Sequence, residues 1–148
     1  TISTVYTVST ADTTFVGSPT KTITLYLTST GLCKNVTDSV TLVLYKRPVV
    51  SVPTGSVLCK NNVAPISLSG TVTNANNGVW SGGNGGVFGV PGALTTYTPS
   101  LADIQSGAIT LSLTSVLPFQ GCANTTATFG VTFINSATDC CSRMPTSR

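Results

Sequence analysis

Apolar residues recur at every second position in several separate stretches of this chain, and that spacing restricts those stretches to β-strands. In 22-TITLYLT-28, Ile23, Leu25 and Leu27 share one face while Thr22, Thr24, Tyr26 and Thr28 share the other. In 39-SVTLVLY-45, Val40, Leu42 and Leu44 alternate with Thr41, Val43 and Tyr45. Ile109, Leu111 and Leu113 repeat the pattern in 109-ITLSLT-114, as do Ala127, Phe129, Val131 and Phe133 in 127-ATFGVTF-133. Ile66, Leu68 and Val72 follow it around Gly70. Period two with β-branched residues and Gly, Asn or Pro breaks is the pattern of antiparallel sheets with one buried face. No stretch sustains a 3.6-residue period, so almost no helix is expected. Two capping boxes are the exception, Ser9 with Asp12 and Ser100 with Asp103. Each is expected to hold one helical turn between strands, as where a chain crosses between the sheets of an Ig-like sandwich.

The pattern occurs one and a half times. Tyr6 and Tyr97 are 91 residues apart, Ile23 and Ile109 86, and Cys33 and Cys122 89. A period near 90 residues is about one Ig-like sandwich. The expected fold is therefore all-β, an Ig-like antiparallel β-sandwich in a tandem-repeat array. Residues 1–47 read as the C-terminal half of one repeat, 48–136 as a complete repeat, and 137–148 as a cysteine-containing tail. Strands in the half repeat have apolar faces that need a cover, since burial contributes about 25 cal/mol per Å². Either a preceding segment supplies the cover, or another chain does by strand addition, which builds a filament.

The composition excludes several functions. The chain has seven Lys and Arg, four acidic residues and no His, for a net charge of +3. Lys46-Arg47 is the one adjacent basic pair, which argues against nucleic-acid binding. The acidic residues are all Asp, so with neither His nor Glu a Ser or Cys nucleophile lacks its ordinary base. The Asp residues are dispersed and two of them have capping roles, so no enzyme and no cofactor is expected. No Asp-rich loop offers the clustered oxygens that calcium needs. The Gly-rich stretch 78-GVWSGGNGGVFGVPG-92 lacks the Lys-Ser/Thr and the helix of a phosphate-binding loop. It reads instead as a turn requiring positive φ between a strand with Trp80 and one with Phe88, with Trp80 filling the core. Polarity is carried by 27 Thr and 17 Ser, a surface suited to an extracellular fibre or adhesin.

No apolar segment reaches membrane-spanning length, and the first residues lack the basic start and apolar run of a signal peptide. A mature protein, or an excised piece of one exported by a signal not present here, is expected. The five cysteines have no His beside them and no C-x-x-C spacing, so disulfides are favoured over zinc. The period points to a bridge between Cys59 and Cys122, closing a loop of 63 residues and contributing about 2–5 kcal/mol. Cys33 matches Cys122 and has no upstream partner, which leaves Cys33, Cys140 and Cys141 as candidates for inter-unit disulfides. Two N-x-T sequons, at Asn35 and Asn124, flank equivalent positions in the two copies.

The run C-K-N-N from Cys59, I-S-L-S-G from Ile66, G-V-W-S-G-G-N-G from Gly78 and Y-T-P-S-L-A-D-I from Tyr97 resembles a known repeat. It is similar to the Ig-like (PKD-like) tandem repeats of very large cell-surface proteins of Bacteroidota, including gliding-motility adhesins. The similarity covers Cys59 to about Phe133, and its back half recurs over residues 5–45. The resemblance implies an extracellular, cell-surface protein, often exported by the type IX pathway, whose repeats form a stalk or filament. It also implies O-glycosylation at Thr13 and Ser39, within Asp12-Thr13-Thr14 and Asp38-Ser39-Val40. The expected function is a structural segment or subunit of an extracellular filament or surface adhesin. Its partners would be copies of itself or neighbouring repeats, joined by strand complementation and by disulfides. The rival expectation is a carbohydrate-binding module in which Trp80, Phe88 and Tyr97 line a platform for surface glycans.

Overall fold

The computed structural model describes residues 3–32, 34–61, 63–117 and 122–135. Cys33, Cys140, Cys141 and the tail 137–148, named in the sequence reading, lie outside the described residues. The chain divides into two compact units, residues 1–47 and 48–148. Both are β-structured, and the described residues contain one short helix.

Unit 1 contains one antiparallel hairpin, β1 (Thr20–Thr28) paired with β2 (Thr37–Tyr45) from Thr20↔Tyr45 to Thr28↔Thr37. The alternation in the sequence places Ile23, Leu25 and Leu27 beside Leu42, Val40 and Asp38 across the ladder. A turn over residues 10–13 precedes the hairpin, closed by the Thr13 amide donating to the Ser9 carbonyl at 3.2 Å.

Unit 2 is built from β3 (Val49–Ser51), β4 (Ser56–Cys59), β5 (Ile66–Ser69), β6 (Thr71–Thr73), β7 (Asn77–Gly82), β8 (Val87–Phe88), β9 (Leu94–Thr98), α1 (Leu101–Ser106), β10 (Ala108–Val116) and β11 (Thr126–Ile134). One sheet has the order β4-β11-β10-β7, a second β5-β9-β8 and a third β3-β6. All pairings are antiparallel except that of β4 with β11, which is parallel. The core joins Ile109, Leu111 and Leu113 of β10 and Phe129, Val131 and Phe133 of β11 to Ile66, Leu68, Trp80 and Tyr97 from β5, β7 and β9. Each of these large side chains contributes about 1.5–3 kcal/mol by leaving water. Trp80 meets Phe129 edge-on, with centroids 6.4 Å apart, and its indole N–H donates to the Ala93 carbonyl at 3.1 Å.

The run around Gly70 is divided rather than continuous: β5 joins one sheet and β6 another. A Cβ at Gly70 would stand 2.2 Å from Leu113 Cδ2, so the chain passes between sheets where the core leaves no room for a side chain. α1 makes the crossing that the capping box predicts, from β9 in one sheet to β10 in the other. Both halves of the box form, Asp103 N–H to Ser100 Oγ and Ser100 N–H to Asp103 Oδ2, and Gly107 ends the helix at φ 82°.

The Cys59–Cys122 bridge expected from the repeat spacing is not formed. Cys122 carries a free, exposed thiol. Cys59 pairs with Ile134 at the far end of β11, whereas Cys122 lies ahead of Thr126 at its start. The strand between them is nine residues long, about 26 Å at roughly 3.3 Å per residue. Bridged cysteines have Cα atoms within about 7 Å. The near-90-residue period placed both cysteines in one repeat but carried no information on which end of the sheet each occupies.

Candidate functional site

Two features of the units stand out as candidates for function: a buried tyrosine–aspartate corner, and a sheet face that is core in one unit and open in the other.

The corner in unit 2 is centred on Asp103, which is fully buried. Its Oδ2 accepts from the Tyr97 hydroxyl at 2.8 Å and from the Ser100 amide at 2.7 Å, and its Oδ1 accepts from the Asn84 amide. The Ser100 hydroxyl donates to the Asn84 carbonyl at 2.8 Å, so the Gly-rich loop is fastened to the helix cap from both sides. Gly82, Gly83 and Gly85 have φ of 104°, 75° and 95°, the conformations expected of this stretch. The loop also lies close: a Cβ on Gly83 or Gly86 would fall 1.9 or 2.3 Å from the Tyr97 hydroxyl. Burial acts to raise the Asp103 pKa, but hydrogen bonds from the Ser100 amide, the Tyr97 hydroxyl and the Asn84 amide outweigh it and hold the carboxyl below its ordinary value. Burial and the neighbouring carboxylate push the Tyr97 hydroxyl up to about 12. The corner is thus a charged knot inside an otherwise apolar core.

Unit 1 contains the same knot without the loop. Asp12 Oδ2 accepts from the Tyr6 hydroxyl at 2.7 Å, the Ser9 amide at 2.8 Å and the Ser9 hydroxyl at 2.7 Å. The Asp12 amide returns a bond to Ser9 Oγ at 3.2 Å. Tyr6, Ser9 and Asp12 have the spacing of Tyr97, Ser100 and Asp103. The Ser9 hydroxyl, the Ser9 amide and the Tyr6 hydroxyl, in that order of effect, lower the Asp12 carboxyl to about 2.

The far end of each hairpin is also duplicated. In unit 1 the Ser29 amide donates to the Val36 carbonyl at 2.9 Å, and the Val36 amide donates to Ser29 Oγ at 2.9 Å. In unit 2 the Ser115 amide donates to the Thr125 carbonyl at 2.9 Å, and the Thr125 amide donates to Ser115 Oγ at 2.9 Å. The Thr28–Thr37 hydroxyl pair, at 2.9 Å, matches Thr114–Thr126 at 3.0 Å.

Counted from these shared bonds, Ile23, Leu25 and Leu27 correspond to Ile109, Leu111 and Leu113, and Val40, Leu42 and Leu44 to Phe129, Val131 and Phe133. The unit 2 set is core, and Leu111 and Leu113 are 0% exposed. In unit 1 none of the six is buried, and Leu27 is 60% and Val40 56% exposed. Thr4, Tyr6, Leu25, Leu27, Asp38 and Val40 are among the residues that line a cleft of about 360 Å³ on this unit.

The other residues singled out from sequence are placed as follows. Trp80 and Tyr97 are core residues and Phe88 is half-buried, stacked at a tilt on Tyr97 with centroids 4.7 Å apart. The three do not form an exposed sugar platform, because the core between the sheets takes up the aromatic faces that such a platform presents. Thr13 and Ser39 are exposed; the Thr13 hydroxyl donates to the Thr10 carbonyl at 3.0 Å, and the Ser39 amide to Asp38 Oδ1 at 2.8 Å. Asn35 and Asn124 are exposed. Among the described residues no three His, Cys, Asp or Glu lie together as a metal site would require, and no helix is long and apolar enough to cross a membrane. The sequence reading assigned Asp103 only a capping role and missed its bond to Tyr97. The signal was available in the recurrence of Tyr-x-x-Ser-x-x-Asp at the same spacing in both copies. No protein-family model and no curated protein matches the chain.

Proposed function

We propose that this chain is a structural segment of an extracellular filament or surface adhesin, assembled from tandem Ig-like β-sandwich repeats. Unit 2 is one whole repeat and unit 1 the latter half of another. Neighbouring repeats, or copies of the chain, complete one another by strand complementation, and the chain acts on no substrate. One observation carries this reading: the Tyr-Ser-Asp knot and the Ser/Thr rungs of the hairpin recur in both units with the same partner atoms. Two unrelated hairpins have no reason to share both. The hydroxyl-rich, weakly charged composition and the resemblance to Bacteroidota surface repeats support a location outside the cell.

Immunogold labelling of intact cells of the source organism with antibody raised against the chain tests the reading. Label on the exterior, distributed along extended structures, is expected. Label confined to the cell interior would overturn the location. Saturable glycan binding on an array, abolished by Trp80→Ala, would overturn the structural role in favour of a carbohydrate-binding module. The burial of Trp80 and Tyr97 weighs against that outcome.

A further inference from the structure

We infer that the open face of unit 1 is a docking site for one kind of partner. That partner is a half-sandwich polypeptide with the chemistry of residues 48–91 of this same chain, whose Gly-rich loop delivers a backbone amide to Asp12 Oδ1. This deepens the reading above and rests on it.

Unit 2 contains the corresponding interface in full. There the face of β10 and β11 packs against β5 and β9 of the second sheet, β7 extends the first sheet along the edge of β10, and the Asn84 amide of the loop between β7 and β8 reaches Asp103 Oδ1. In unit 1 the equivalent face has the same apolar alternation, with Asp38 across from Leu27 where unit 2 has Ala127 across from Leu113, and the equivalent aspartate receives the same two donors on Oδ2, the tyrosine hydroxyl and the serine amide, together with the Ser9 hydroxyl. Among the described residues, every hydrogen bond that the Asp12 carboxylate receives ends on Oδ2. The one partner it lacks relative to Asp103 is the loop amide. The uncovered apolar side chains of this sheet and a carboxylate oxygen that receives no hydrogen bond among the described residues thus stand where β5 and the Gly-rich loop act together in unit 2. A membrane or a generic apolar ligand would cover Leu25, Leu27 and Val40 but offers no amide to the carboxylate. A segment like 48–91 meets both requirements. Tyr6 corresponds to Tyr97, so residue 1 corresponds to residue 92, and a donor ending at the equivalent of Pro91 joins without overlap.

The test places a second copy of residues 48–91 ahead of Thr1 in the full chain and reads amide hydrogen exchange residue by residue. Exchange at Ile23, Leu25, Leu42 and Leu44 is expected to slow at least tenfold relative to the unextended chain, with unit 2 unchanged. Asp12→Asn in the extended chain keeps the shape and loses one charge-assisted acceptor, and is expected to return about tenfold of that protection near residues 6–12. Leu25→Asp is expected to abolish protection of the whole face while unit 2 exchange stays as it was. Unslowed exchange in the extended chain, with unit 2 folded, overturns the proposal. So does protection of the same amides in the unextended chain that rises with concentration alongside dimer in sedimentation, because a second copy would then be the occupant. A protected face together with interior labelling of cells leaves the docking standing and removes the extracellular role. The reverse pair of results removes the docking alone.

Discussion

The Tyr97 hydroxyl donates to the Asp103 carboxylate across 2.8 Å, and both side chains are fully buried. This bond makes the corner expensive to disturb. Asp103→Ala is expected to destabilise unit 2 by roughly 3 kcal/mol, because the buried Tyr97 hydroxyl and the part-buried bonds from the Ser100 and Asn84 amides lose a charged acceptor at once. The chain contains one Trp, so the urea midpoint followed by Trp80 fluorescence reports on unit 2 alone. Asp12→Ala should leave that midpoint where it was.

Position 86 tests how closely the loop is fitted. A Cβ on Gly86 would meet the Tyr97 hydroxyl at 2.3 Å and Asp103 Oδ2 at 2.7 Å, whereas on Gly85 the nearest atom is Ser100 Oγ at 3.7 Å. Gly86→Ala is expected to cost about 2–3 kcal/mol by overpacking. Gly85→Ala should cost roughly 1 kcal/mol, from backbone strain at its positive φ. The two Trp80 unfolding curves should therefore differ, with Gly86→Ala the less stable.

Equivalent leucines should respond unequally. Leu111→Ala removes a fully buried side chain and is expected to lower unit 2 stability by about 2–5 kcal/mol. Leu25→Ala, its counterpart on the open face, should cost less than about 1 kcal/mol, as read from exchange of the β1–β2 amides. Equal losses at both sites would mean that the open face is covered in solution.

Unit 2 should weaken at both pH extremes, for separate reasons. The folded Asp103 carboxyl titrates below its ordinary value of 3.8. Its contribution is complete above that value and is lost as pH falls through the folded pKa. The folded Tyr97 hydroxyl titrates near 12 against an ordinary 10. The neutral hydroxyl is therefore favoured in the fold, and its contribution is complete below pH 10 and lost between 10 and 12. Urea midpoints measured by Trp80 fluorescence should be flat near neutrality and fall on each side. Tyr97→Phe should remove much of the alkaline fall.

Thiol chemistry separates the two described cysteines. Cys122 is free and exposed, and Cys59 is disulfide-bonded. Peptide mapping after iodoacetamide treatment without reductant should find Cys122 alkylated and Cys59 unmodified. Alkylation of both under those conditions would contradict this assignment.

The strands and α1 were legible because each rests on a local pattern. Period-two apolar runs place β1, β2, β10 and β11, and Ser100 with Asp103 places α1. The division of the Gly70 run between sheets was not legible, since it depends on Leu113 occupying the space a side chain would need. The cysteine pairing failed for a related reason. Spacing along the chain does not tell which end of a nine-residue strand a neighbour reaches, and the parallel placement of β4 on β11 decides it. The Asp103 knot was half-legible: the cap follows from sequence, but the loop amide of Asn84 arrives from 19 residues away.

The parallel pairing of β4 with β11 has a consequence for a chain under tension. The strand entering near the start of unit 2 and the strand leaving near its end run side by side in the same direction, with rungs from Ser56↔Val131 to Cys59↔Ile134. Force applied at opposite ends of the unit loads these rungs in shear, so they must slip together. The β1–β2 and β10–β11 hairpins, drawn from their open ends, would instead unzip one rung at a time. Unit 2 would thus resist stretching along its length at the seam where its first half meets its last.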